Sequence, residues 1–190
     1  MRRLLLAPCL LTALACSREA PAPADHAAAE PAVDPAPGLA REAVGRFKRE
    51  LKGALTAALT EGGPIHALTV CQREAPRLAA AASRPGLTVG RATLRPRNPD
   101  NLATGWQLDA YHALEQATDR ATATFSAELP SGGFAYAEPL VIDGVCLTCH
   151  GSVSSDVAAA LRERYPDDRA TGYAPGDFRG IAWAEVSRGP

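Results

Sequence analysis

The pentapeptide Cys146-Leu147-Thr148-Cys149-His150 constrains this chain more than any other feature. Two thiols separated by two residues, followed directly by an imidazole, admit three chemistries. In covalent haem attachment each thiol joins a porphyrin vinyl group, the two-residue spacer matches the separation of the vinyls, and the histidine ligates iron. In a structural zinc site Cys71 would complete a Cys3His set, but the side chains of the neighbours Cys149 and His150 diverge too widely to meet one tetrahedral ion comfortably. A redox dithiol favours a helix N-terminus after a strand. The segment "CHGSVSSD" reads instead as a loop, and that chemistry leaves His150 idle. Haem attachment uses all three side chains, and one motif implies one covalent haem c.

The remaining thiols sharpen the question. Five cysteines are present. Cys9 and Cys16 fall in an N-terminal stretch, "MRRLLLAPCLLTALAC", with a basic start, a short apolar run and small residues at its end. This pattern predicts a secretory signal over residues 1–16, too short to span a bilayer. "ALAC" resembles a lipobox, which makes Cys16 the lipidated first residue of the mature chain; plain cleavage near Ala15 is the alternative. Ser17 after the cysteine resembles an outer-membrane sorting signal. The expected location is therefore the periplasm, with lipid chains holding the protein to the outer membrane. Residues 17–37, rich in Ala, Pro and acidic side chains, predict a disordered linker that includes His26. Three cysteines then remain for the domain at 38–190, an odd number for a disulfide framework.

A formal net charge of −1 gives no basic excess that would point to nucleic acid. Aromatic residues make up only 5%, so the core must be mostly aliphatic, and a flat apolar cofactor would fill part of it. Val44, Phe47, Leu51, Leu55 and Leu59 recur at helical spacing, and "EGGP" at 61–64 ends that helix. A second helix is expected from Ile65 to Ala82, packed back on the first as a hairpin and disturbed at Pro76. Its inward stripe comprises Ile65, Leu68, Cys71, Ala75 and Leu78. An extended segment over 86–101, a helix from Trp106 to about Ala121 and strands at 122–129 and 134–142 follow. A short helix over 156–166, a glycine-rich loop and a last strand over 181–186 complete an α+β chain.

The far side of an iron above His150 needs a ligand. The single methionine is Met1, lost with the signal, so His/Met ligation is excluded. His66, His112, Cys71, a tyrosine or an open position remain. His66 sits about 140° around the helix from Cys71, and His112 lies off its apolar stripe, so both are expected at the surface. Cys71 fits best of the three, although a small buried hydrophobe is the plainer account of it. Arg91, Arg95 and Arg97 lie near the expected pocket, either pairing with haem propionates or lining a solvated strand edge.

The segments "TVCQREAPRLA", "VGRATLRPRNPDN", "CLTCHG" and "YPDDRATGYAPGDFRG" together resemble a bacterial and cyanobacterial family of haem-c-binding PAS-like domains, long catalogued as a domain of unknown function. The resemblance spans about residues 40–187. It implies a PAS-like antiparallel sheet flanked by N-terminal helices, Cys146 and Cys149 as thioether anchors, and iron held by His150 and Cys71. Arg97, Asn98, Asp177 and Arg179 become pocket or loop-fixing residues, while Gln107 replaces an acid common in the family. A thiolate opposite imidazole favours Fe(III), and loss of Cys71 on reduction would open a site for CO, NO or O2. The expected function is a redox or gas sensor module that signals to a separate partner protein. The alternative is a membrane-tethered electron carrier. No distal Arg/His set suggests a peroxidase, so no catalysis is expected.

Overall fold

The computed structural model describes residues 34–188; the signal-like stretch and nearly all of the linker lie outside them. The first element, α1, runs from Ala36 to Ala82 and departs from helical geometry at Gly62 and Gly63. Gly63 has φ of 67°, a left-handed value that glycine adopts without a Cβ penalty, and Pro64 restarts the helix. A straight helix of 47 residues would reach about 70 Å. Instead Ala36, Val44 and Phe47 share one core cluster with Ala82, and Leu78 packs against it. The two arms therefore fold back on each other as the expected hairpin. Pro76, by contrast, leaves no break in the backbone angles.

Four antiparallel strands form the sheet: β1 (Leu87–Ala92), β2 (Phe125–Glu128), β3 (Phe134–Val141) and β4 (Phe178–Val186), in spatial order β1-β4-β3-β2. The α+β expectation holds. β4 is longer than its predicted span of 181–186, because Phe178 pairs with Val141 across an irregularity beside Leu140. Gly180 makes this possible: its φ is 144°, and a Cβ there would lie 2.5 Å from the Ala92 carbonyl oxygen.

Alternation along the strands builds two cores. Val89, Phe134, Tyr136, Ala182 and Ala184 pack under the α1 hairpin. Ala92, Ala137 and Ile181 pack against Ala110, Tyr111 and Leu114 of α2 (Trp106–Glu115). That helix stops short of Ala121, because Asp119 accepts from the Ala121 N–H and the Thr122 hydroxyl, a local turn that competes with helix. Of the segment 149–156 expected as a loop, residues 151–154 are irregular, but the motif before them is helical. It forms a single turn, α3 (Leu147–His150), with Cys146 at its cap. α4 (Ser155–Arg164) follows, capped by the Ser154 hydroxyl.

Ile181 is fully buried on the strand that joins both halves of the sheet. Ile181→Ala should lower stability by about 2–5 kcal/mol, read from the midpoint of urea unfolding at unchanged slope.

Candidate functional site

One cavity of about 1100 Å³ opens between the α1 hairpin, the sheet and the motif turn, slightly larger than the roughly 300–1,000 Å³ of small-molecule sites. Phe47, Leu51 and Leu55 line it from the first arm; Leu68, Cys71, Ala75 and Ala79 line it from the second. The predicted inward stripe is therefore correct from Leu68 onward. Ile65, two residues after the glycine break, is exposed instead. Cys146, Cys149 and His150 close the opposite wall, with Arg91, Arg97 and Arg179 also lining the space.

Helical geometry explains how the motif presents three groups at once. In α3 the His150 N–H donates to the Cys146 carbonyl at 2.9 Å, so positions 146, 149 and 150 lie on one face. Cys146 is anchored from below: its Sγ donates to Asp143 Oδ1 at 3.2 Å, and Asp143 pairs with Lys52 of the first arm. Burial raises the Cys146 thiol pKa above its ordinary value. The same cause raises Cys149, with Arg97 opposing, and raises Cys71, with Arg91 and Arg97 opposing. Reactive dithiols carry depressed pKa values; these thiols are shifted the other way. Among the described residues no three His, Cys, Asp or Glu side chains gather closely enough to hold a metal ion on their own.

His150 is set by the loop that follows α4. Its Nδ1 lies 2.6 Å from the Ala170 carbonyl oxygen. A carbonyl only accepts, so Nδ1 carries the proton and Nε2 keeps its lone pair. Burial, reinforced by Arg97 and Arg179, holds the imidazole well below the ordinary histidine pKa. It is therefore neutral at pH 7, the form that ligates metals. The Tyr173 N–H donates to the His150 carbonyl, and the Gly172 N–H to that of Gly151. The Tyr173 ring stands edge-on to the imidazole at 6.2 Å.

Arg97 locks this arrangement. Its Nη2 donates to the Cys149 carbonyl at 2.6 Å and to the Ala170 carbonyl at 3.2 Å. The guanidinium also pairs with Asp168 at 3.2 Å, side chains 12% and 9% exposed. One side chain thus ties the motif turn to the residue that fixes the His150 tautomer. Arg179 donates to Thr93 Oγ1 and the Arg95 carbonyl, and burial draws it down to about 10. Arg95 lies outside the cavity lining and holds the carbonyls of Arg169 and Thr171. Asn98 and Asp177 fix loops: Asn98 accepts from the Asp100 N–H, and Asp177 from the Ala174 N–H. Gln107 accepts from the Thr104 N–H. His66 and His112 are both exposed.

Sequence reasoning passed over Asp168, Tyr173 and Trp183. Trp183 lines the cavity, and its indole lies across Gly90, where a Cβ would meet the ring at 2.6 Å. The Trp183 Nε1 and the Tyr173 hydroxyl are buried without hydrogen-bond partners. The signal for Asp168 and Tyr173 was the length of the loop itself, since long irregular segments in compact domains are usually functional.

Arg97→Ala strands the Asp168 carboxylate and two carbonyls. It should cost about 3 kcal/mol, with Asp168→Ala in the same chain restoring part of the loss, because an orphaned buried charge is the larger penalty. Urea unfolding of the two single variants and the double variant measures this directly.

No match was found among curated proteins. Among solved structures, that of the cyanobacterial haem protein Tll0287 is similar, at 25% identity and a TM-score of 0.60, over 78% of this chain and 92% of that one. The model of the Tll0287-like family matches residues 30–187. The chain is a member of the Tll0287-like family.

Proposed function

We propose that this chain is an exported, non-catalytic protein that binds one haem c in the cavity and serves as a redox or gas sensor. The observation that carries the haem assignment is the His150 imidazole on the cavity wall, held neutral with Nδ1 engaged and Nε2 left with its lone pair. The lining fits such a group. Aliphatic side chains of both α1 arms suit a flat apolar macrocycle, two thiols one turn apart suit its vinyl groups, and guanidiniums suit carboxylates. Similarity to a haem protein supports the same reading.

When bound, haem supplies an iron that gains and loses one electron and, at an open position, takes CO, NO or O2. Cys146 and Cys149 would hold it by thioethers, with His150 and Cys71 as the iron ligands. The chain's own contribution is to orient and to protect. Ala170 fixes the tautomer of His150, and Arg97 fixes Ala170. Burial keeps the proton on Cys71 Sγ when no metal competes for it, so this thiol is a ligand that can be given up. It rides on the second arm of α1, beyond the Gly62–Gly63 break, which supplies a joint for movement passed on to a separate partner protein.

Electron transfer is the second reading, and one contact favours it. Trp183 on the cavity wall meets Trp106 edge-on at 5.7 Å, and Trp106 is partly exposed with its Nε1 bonded to Glu185. That pair links the cavity to the surface, where a redox partner would dock. A carrier keeps its iron ligands in both oxidation states, whereas a sensor loses one. Export and a lipid anchor at Cys16, with the protein held at the outer membrane, belong to the same proposal.

Protein produced in a haem-maturing host should give the pyridine haemochrome spectrum of a thioether-linked haem, and Cys146→Ser with Cys149→Ser should abolish it. Cys71→Ala should leave haem content intact while shifting the oxidised Soret band and EPR g-values; unchanged spectra would remove Cys71 from the iron. CO binding to the reduced wild-type protein, with none to the oxidised form, separates sensor from carrier.

A further inference from the structure

Of the guanidiniums lining the cavity, three lie beside His150, and only one of those three has an anion. Arg91, Arg97 and Arg179 all lie close enough to His150 to oppose its protonation, and they repel one another. Asp168 neutralises Arg97, whose Nη2 also donates to the Cys149 and Ala170 carbonyls. Arg179 donates only through Nη1, and only to neutral oxygens. The Arg91 side chain makes no ion pair or hydrogen bond among the described residues, and burial is the first cause pulling it below the ordinary arginine value. Of the other carboxylates on the wall, Asp143 belongs to Lys52, while Asp100 and Asp167 are exposed.

Arg91 and Arg179 are half-buried, and a cation drawn partly out of water without an anion costs free energy. Two such cations on neighbouring strands of a rigid sheet call for two negative charges from the occupant. We infer that Arg91 and Arg179 form a dicarboxylate subsite, which, on the haem reading above, receives the two propionates, while Arg97 acts only as a positioning residue. This reverses the emphasis of the sequence, which grouped Arg91, Arg95 and Arg97 by proximity along the chain. The structure spends Arg95 and Arg97 on the loop over 168–171 and leaves Arg91 and Arg179 facing the ligand.

The test uses the full chain carrying Cys146→Ser and Cys149→Ser, titrated with haemin and with haemin dimethyl ester, whose carboxylates are masked. Haemin should bind at least about tenfold tighter than the diester, as expected when charge-assisted hydrogen bonds are lost. Adding Arg91→Gln or Arg179→Gln should cut haemin affinity by about tenfold and leave the diester unaffected. Arg91→Lys should keep part of the preference, and Arg95→Gln should keep all of it. Equal binding of the two ligands, or equal weakening of both by Arg91→Gln, overturns the subsite while leaving haem binding intact. Failure of both ligands to bind overturns the haem reading as well. The covalently loaded protein provides a second measurement. Removing a cation beside the haem favours the oxidised form, so Arg91→Gln should lower the reduced-to-oxidised ratio at fixed potential about tenfold, equivalent to 59 mV. An unchanged ratio counts against the subsite.

Discussion

The hydrogen bond from His150 Nδ1 to the Ala170 carbonyl is the contact on which the site depends. It decides which nitrogen keeps a lone pair, and so whether the motif histidine presents a donor to the cavity at all. A backbone carbonyl is a reliable partner for this purpose, since it cannot ionise or turn its acceptor into a donor. Its position is inherited from Arg97, which reads the loop and the motif turn together through Asp168, Ala170 and Cys149. The order of dependence runs from an ion pair, to a loop carbonyl, to a tautomer.

Around that core the fold divides its work between layers. The sheet provides a stiff floor, with α2 filling one face by ordinary aliphatic and aromatic packing. The α1 hairpin covers the other face only in part. Its outer segments close on Val89, Phe134 and Ala184, while the segments nearer Gly62 and Gly63 stand over the cavity. Stability and ligand binding are thereby separated along the same helix pair, and side chains such as Phe47 serve both.

What the sequence made legible follows from how local each signal is. Helical periodicity, the glycine-proline break and the hydrophobic alternation of the strands depend on neighbours within a turn or two, and they anticipated the hairpin, the antiparallel strands and the inward placement of Cys71. Motif spacing identified Cys146, Cys149 and His150. Pairings across many residues were out of reach. Arg97 meets Asp168 from 71 positions away, and nothing local distinguishes an arginine that holds a loop from one that faces a ligand. The loop expected over 149–156 holds for 151–154, but a four-residue helix has no periodicity that would mark Cys149 and His150 as its end. Ile65 lies on the same stripe but at the start of the arm, where it is exposed, and periodicity does not show where the covering partners end.

The spatial order of the strands has a consequence for how the protein is made. β4 comes last in the chain but lies between β1 and β3, so the sheet stays open until residues 178–186 have emerged. Domains in which the final segment is the central one cannot fold progressively during synthesis; their earlier parts wait, extended and accessible. Cys146 and Cys149 emerge about thirty residues before that closing strand. If haem is joined to these sulfurs as proposed, the topology leaves both thiols on an unclosed sheet until β4 inserts.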